Sequence, residues 1–251
     1  MSFKDHFSGH SSQYSEFRPR YPDELFSSLA ALCAEHDLAW DCATGSGQAA
    51  CGLIEHFDNV IATDASANQI ADAARTDGVT YRVAAAENSG LQTESVDLTT
   101  VAQALHWFDI DAFTNEANRV LKPDGVLAVW TYGLLAFDTG LDDVIRHLYA
   151  DIVGEYWPFE RKMVEGGYAN VDMPFTEIPA SPIEMTEEWD FSRLIGYLNT
   201  WSAVKAYETA HGNNPVELVQ ADLGRQWGVV DRTRIATWPL LVKVWRKQRT
   251  Q

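Results

Sequence analysis

The sequence predicts an α/β fold, a parallel sheet with helices on both faces. Three observations carry it. Between Leu38 and Tyr132, short apolar runs alternate with helical patterns, as strand–helix–strand units require. At the first junction, Leu38-Ala39-Trp40-Asp41-Cys42-Ala43-Thr44-Gly45-Ser46-Gly47-Gln48-Ala49-Ala50 passes from a buried strand through a carboxylate and a glycine turn into a helix start. The length, 251 residues with 46% hydrophobic, suits one large domain or one domain with an insertion.

The elements follow in order. A helix starts at Pro22, with Asp23 and Glu24 complementing its dipole and Leu25, Phe26, Leu29, Leu32 and Cys33 on one face. Strands are expected over 38–43, 60–63, 79–84, 96–102 and 125–131, with helices near 48–57, 66–75 and 110–121. Ile110, Phe113, Ala117, Val120 and Leu121 form the apolar face of the last helix, which Lys122-Pro123-Asp124-Gly125 stops. The alternation ends after Tyr132. A helix near Leu141 presents Val144, Ile145, Leu148, Tyr149 and Ile152, and a turn-rich stretch runs from Glu165 to Pro182. Two helices follow, one from Phe191 through Trp201 to Val204 and one from Asn214-Pro215 to Trp227. Pro239 to Trp245 closes the chain as an alternating strand. A single domain over 1–251 then divides into an N-terminal segment (1–21), a core (22–132), an inserted cap (133–235), and a closing strand and tail (236–251).

Ligands on such sheets sit beyond the carboxyl ends of the strands. Asp41, Asp64, Glu87, Gln103 and Trp130 fall there. Glycine in the first turn lets a ligand lie against bare backbone, and helix-start amides beyond it point at what binds. Asp64 follows Asp41 by 23 positions, at the end of the next strand. A carboxylate there can accept two hydrogen bonds from a ribose diol, which points to an adenosine-containing cofactor. Gly45-x-Gly47-x-x-Ala50 formally fits a dinucleotide fingerprint, so a nicotinamide-dependent oxidoreductase is one reading. Asp41 favours another: an acid before the glycines repels a pyrophosphate and suits a phosphate-free cofactor with a cationic amino-acid end.

The net charge of −17 argues against a nucleic-acid partner, which needs clustered Lys and Arg. No apolar run approaches the ~20 residues of a membrane helix, so no membrane partner is expected. Met1 to His6 lacks the plan of a signal peptide. Cys33, Cys42 and Cys51 cannot all pair and lack metal-ligand spacing, which predicts reduced thiols in a cytoplasmic protein and no metal site.

Several motifs in fixed order carry a resemblance: Tyr14-x-x-x-Arg18-Pro19-Arg20-Tyr21-Pro22, Trp40 to Gln48, Ala62-Thr63-Asp64-Ala65-Ser66, Ala86-Glu87, Gln103-Ala104-Leu105-His106-Trp107-Phe108, Arg119 to Gly125, and Thr200-Trp201-Ser202-Ala203-Val204. On these the chain resembles class I S-adenosylmethionine-dependent methyltransferases, in particular the type 11 methyltransferase domain group and small-molecule enzymes similar to trans-aconitate methyltransferase. The resemblance covers nearly the whole chain and is weak for substrate. It implies a Rossmann-like seven-stranded sheet with the last strand antiparallel, S-adenosyl-L-methionine as cofactor and S-adenosyl-L-homocysteine as product. It implies that Asp41, Ala43, Gly45 and Gly47 cradle the methionine and ribose, and that Asp64 takes the ribose hydroxyls. Ala65, Ala86 and Glu87 would lie by the adenine, with Gln103 beneath the cofactor and Tyr14 and Arg18 over its carboxylate. Two positions depart from the family pattern: Ala43 replaces the first glycine of the turn, and Ala85 replaces an adenine-binding acid.

Methyl transfer from a sulfonium needs an aligned nucleophile and a dry site, and a base only where the nucleophile is protonated. His106, just after the fourth strand, is the candidate base, against the alternative of a hydrogen-bonded structural histidine. His10, Trp107, Trp130, Tyr132 and Trp201 are the candidate substrate contacts; aromatic faces there suit a sulfonium. The resemblance favours a small-molecule acceptor methylated on a carboxylate oxygen. A cofactor-binding protein without catalysis is the third reading.

Overall fold

The computed structural model describes residues 17–229 and 231–249. Five parallel strands form the heart of the molecule: β1 (Leu38–Cys42), β2 (Asn59–Asp64), β3 (Val79–Val83), β4 (Val96–Ala102) and β5 (Leu121–Tyr132). They lie in the order β3-β2-β1-β4-β5. The order reverses at β1, which pairs with β2 on one side and β4 on the other, so a crevice opens there at the strand ends. β4 is buried along nearly its whole length, as an inner strand covered on both faces must be.

The two faces have separate cores because strand side chains alternate. Ala39, Val60, Ala62, Leu98, Val126, Ala128 and Trp130 pack with Leu25, Phe26 and Leu29 of α1 (Asp23–Ala30) and Ala49, Ala50 and Leu53 of α2 (Gln48–Leu53). Trp40, Cys42, Val101, Leu127 and Val129 pack on the opposite side with Phe113, Ala117 and Val120 of α4 (Ile110–Val120). Helix α3 (Ala67–Asp72) starts where Ser66 accepts a hydrogen bond from the Gln69 amide. Helices α2 and α3 are shorter than expected. Phe57, which continues the apolar pattern of α2, is buried in a turn whose amide reaches Leu53 O at 3.1 Å.

Beyond β5 the sheet continues as β8 (Arg234–Arg246), antiparallel to β5, and β6 (Thr176–Ile178), antiparallel to β8. This path has seven strands. An eighth, β7 (Glu184–Trp189), pairs with the first half of β8. The sequence reading did not find β6 and β7. One is three residues long, and the other carries acidic side chains on a largely exposed edge, so neither shows a clean apolar period.

The remaining helices are α5 (Leu141–Arg146), continued by a π-helical turn over His147–Ile152, α6 (Arg161–Glu165), α7 (Phe191–Asn199), α8 (Ser202–His211) and α9 (Pro215–Trp227). Leu141, Ile145, Leu148, Trp189, Leu194, Leu198, Val204, Leu223 and Trp227 give them a core of their own. The single helix expected from Phe191 to Val204 is two. Asn199 Nδ2 donates to Ile195 O at 2.8 Å and Thr200 Oγ1 to Tyr197 O at 2.6 Å, which satisfies the last carbonyls of α7. Trp201 then takes an extended conformation before α8. No helix among the described residues is long and apolar enough to cross a membrane.

Candidate active site

The turn after β1 is held by carboxylates. Asp41 is fully buried, and its oxygens accept from Thr44 Oγ1 at 2.5 Å and Thr100 Oγ1 at 2.9 Å. Burial pushes its carboxyl up to about 6, against the opposing effect of these hydroxyls and the Ala50 amide. Asp64, at the end of β2, accepts from the Gly45 amide at 2.9 Å and the Ser66 amide at 2.8 Å, so one side chain joins two loops. A carboxylate oxygen can accept more than one hydrogen bond, and these two leave the expected ribose role chemically open.

The glycines serve different ends. Gly45 has a φ of +55°, and the place of its missing side chain is open except for Gln69 Oε1 at 4.0 Å. A ligand can approach backbone there. Gly47, at φ +88°, would drive a Cβ to 2.7 Å from the Tyr81 hydroxyl, so its bare face is taken by protein. Ala43 also adopts φ +55°, a conformation that glycine meets without strain.

A cavity of about 1300 Å³ lies between the strand ends and the helices α6 to α9. It brings together Arg18, Gln103, His106, Trp107, Tyr132 and Trp201 of the expected site residues. Residues 17–20 join it to the cofactor turn: Pro19 O accepts from Gln48 Nε2 at 2.8 Å, and Arg18 donates to the Tyr132 hydroxyl at 3.1 Å and to Thr200 O at 3.4 Å. Gln103 takes φ +57° at the end of β4, and its Oε1 accepts from Thr131 Oγ1 at 2.8 Å. Its Nε2 is buried with no partner among the described residues, on the cavity wall. A buried donor left unmet asks for an acceptor from a ligand.

His106 Nδ1 lies 3.0 Å from the Tyr168 hydroxyl. Burial, aided by the nearby Arg161, lowers its pKa to about 4, so the imidazole is neutral at physiological pH. Tyr168 is itself buried at φ +57°, with burial pushing its hydroxyl well above the usual tyrosine range.

One expected substrate contact does not line the cavity. Trp130 is fully buried on the α1 face of the sheet, with Tyr21 and Phe26 edge-on at centroid distances of 5.5 and 6.4 Å. It shares a face of β5 with Tyr132, two residues on, but only Tyr132, at the end of the strand, reaches the cavity. Ala65, Ala86 and Glu87 stand by the outer loops and not on the cavity wall; Glu87 Oε1 accepts from the Asp109 amide at 3.2 Å. His10 and Tyr14 lie outside the described residues. The sequence reading missed Tyr168, Arg161, Gln69 and Lys205. Nothing in their local pattern separates them from surface or core positions; folding alone gathers them, Gln69 from α3, Arg161 and Tyr168 from α6 and the turn after it, and Lys205 from α8.

The open Gly45 backbone, the Asp64 carboxylate and the unmet Gln103 amide suit an adenosyl cofactor with an amino-acid end. Comparisons with known proteins agree. A methyltransferase domain family matches residues 40–129. A candidate methyltransferase of Dictyostelium discoideum is 39% identical over 218 residues, covering 85% of this chain and 82% of that protein. A methyltransferase of Aspergillus terreus is 29% identical over 140 residues, covering 49% of this chain and 42% of that protein. The solved structure of a candidate type II methyltransferase from Anaeromyxobacter dehalogenans matches with a TM-score of 0.88 at 42% identity, over 92% of this chain and 99% of that one. A nicotinamide-dependent oxidoreductase is thereby set aside, and the strand order with its antiparallel β8 fits the same conclusion. The chain belongs to the class I S-adenosylmethionine-dependent methyltransferases.

Proposed function

We propose that this methyltransferase acts on a small-molecule acceptor bound in the cavity beneath residues 133–235, and that the methyl group goes to a carboxylate oxygen. The observation that carries this reading is the cavity itself, bounded by Trp107, Trp157 and Trp201, with the guanidinium groups of Arg18 and Arg161 on its wall. Mixed aromatic walls with a few directed polar groups are the usual build of small-molecule sites. The acidity of the chain disfavours nucleic acid as the acceptor. The three cysteines are unpaired, which fits a reducing, cytoplasmic setting.

When bound, S-adenosylmethionine would supply an electrophilic methyl on a sulfonium, with the thioether as leaving group for an acceptor lone pair. The chain's own part is placement and shielding. In this reading Asp64 and the Gly45 turn hold the ribose, and Ala65, Ala86 and Glu87 border the adenine. Gln103 supplies its unmet amide, and Arg18 closes over the amino-acid end. Orienting two reactants accounts for ~7–11 kcal/mol of a barrier in favourable cases. No strong base is required for a carboxylate acceptor, which agrees with a histidine held near pKa 4.

The test is calorimetric titration with S-adenosylhomocysteine, with NAD in parallel, followed by transfer of labelled methyl to a panel of small carboxylic acids, phenols and amines. Binding of S-adenosylhomocysteine with turnover on acids alone supports the proposal. Turnover on amines or phenols alone overturns the carboxylate part. Binding without turnover on any acceptor favours a non-catalytic cofactor-binding protein.

A further inference from the structure

Arg161 is the first residue of α6, and its side chain lines the cavity. Its contacts among the described residues are with neutral groups. Nε donates to the Tyr149 hydroxyl at 3.2 Å. The guanidinium carbon stands 4.7 Å from the Trp157 ring centroid and 5.7 Å from that of Tyr149. Trp157 in turn packs on Trp201 at 5.6 Å. The nearby acid Glu165 is engaged by the Tyr149 hydroxyl.

Other arginines of this acidic chain sit on carboxylates: Arg119 on Glu116, Arg146 on Asp143, Arg193 on Glu187 and Arg249 on Asp124. Among the described residues Arg161 has no such partner. An arginine clamped by an aromatic ring and a hydroxyl, with its charge unneutralised and facing a cavity, has the build of an anion anchor. The ordering cost of its long side chain is already met by the stack on Trp157. The charges around it agree. Lys205 on the same wall is balanced by Glu208 at 3.4 Å, which leaves the Arg161 charge to set a positive field there inside a strongly negative protein. The depression of His106 by Arg161 reports the same positive field. Helix α6 packs on the turn that carries His106, so the two side chains border one part of the cavity.

The geometry points to Arg161 as the specificity residue for the acceptor: it binds a planar oxyanion, a carboxylate, on an otherwise uncharged body seated against Trp157 and Trp201. This rests on the cavity being the acceptor site. It assigns Arg161 to the acceptor and leaves Arg18 for the cofactor's carboxylate.

The test is fluorescence titration of the whole protein with benzoate and with benzamide, its uncharged isostere, both with and without saturating S-adenosylhomocysteine. The expected result is saturable benzoate binding that weakens roughly tenfold or more in Arg161→Gln, with Arg161→Lys in between and benzamide weak throughout. The exposed Arg146→Gln variant serves as a surface control and should match wild type. Benzoate binding unchanged by Arg161→Gln, benzamide binding equal to benzoate, or no saturable benzoate binding by wild type each overturns the assignment. Should Arg161→Gln fail to fold, the Arg161→Lys shift and the benzamide comparison decide. Wild-type affinity for S-adenosylhomocysteine is measured separately; its loss would sink the methyl-transfer reading, while the Arg161 comparison without cofactor would still report on anion binding.

Discussion

Replacing Asp41 by Asn should make the protein more stable and a poorer binder of its cofactor. Asp41 is fully buried, and burial raises its carboxyl from 3.8 to about 6. A folded-state pKa above the unfolded value means that the folded chain holds the proton more tightly. Stability is therefore lost as pH rises from 3.8 through 6, and the whole penalty is present above that. A shift of about two units corresponds to roughly 3 kcal/mol. Asn keeps the shape, and its amide can accept from one threonine hydroxyl and donate to the other, since Thr44 and Thr100 can each turn. The assay is urea denaturation of both proteins at pH 8 and pH 4. The variant should be more stable by up to about 3 kcal/mol at pH 8, with the gain gone near pH 4. Titration with the sulfonium cofactor should show weaker binding, and the neutral product should lose less, because only the former carries the extra positive charge. A variant no more stable than wild type at pH 8, or a gain independent of pH, would refute the reasoning.

Four further outcomes are expected. Asp64→Ala should weaken S-adenosylhomocysteine binding by roughly 2–3 kcal/mol on the scale of charged hydrogen bonds, and an unchanged Kd in the folded variant would remove Asp64 from the site. His106 is held near pKa 4 against an ordinary 6.5, so its folded form resists protonation and wild type loses stability as pH falls from 6.5 to 4. His106→Gln should lack that part of the acid loss, up to about 3 kcal/mol, and wild-type turnover should show no inflection near pH 6.5; such an inflection would mean that the imidazole titrates normally. Trp130→Phe should cost roughly 1–3 kcal/mol in denaturant melts and leave cofactor and acceptor affinities near wild type, whereas a large change in acceptor KM would return Trp130 to the site. Ala43→Gly should hold or raise stability by up to about 1 kcal/mol, since relief of the left-handed conformation is partly offset by the freer unfolded chain, and a clear loss would mean that the Ala43 methyl packs usefully.

The parallel core was legible because its signals are local. Apolar strands bounded by turns, the glycine junction and the two acids at strand ends each lie within a few consecutive residues. Elements whose stability comes from distant partners were not. β6 and β7 exist because β8 offers them an edge. The break at Thr200 is local, made by two side chains that cap the helix behind them, but the apolar period running on through Trp201 and Val204 hides it. The candidate site divides in the same way. Asp41, Gly45, Asp64 and Gln103 follow from strand ends. Tyr168 lies in the stretch from Glu165 to Pro182, whose visible property was turns, Arg161 lies just before it where no element was expected, and folding brings both to His106. Trp130 shows the limit of the strand-end rule. Trp130 and Tyr132 share a face, and only the residue at the very end of β5 reaches the cavity, so a difference of two residues along a uniformly buried run decides what the pattern cannot show.

Several costs of this fold gather at one place. Ala43 and Gln103 both take left-handed backbone without being glycine, at the ends of the adjacent strands β1 and β4. Between them the structure buries a carboxylate at Asp41 and leaves the Gln103 amide without a partner. Such features cost of order 1–3 kcal/mol each and persist only where the surroundings enforce them. The two sheet cores do so here, with Trp40 of β1 and Trp130 of β5 fully buried on opposite faces of the sheet. Under the proposed placement of the cofactor two of these costs have a counterpart: its positive charge would ease Asp41, and one of its acceptor atoms would satisfy Gln103. On that reading thermal stability should rise on cofactor binding more in wild type than in Asp41→Asn, the variant in which one of these costs has already been removed.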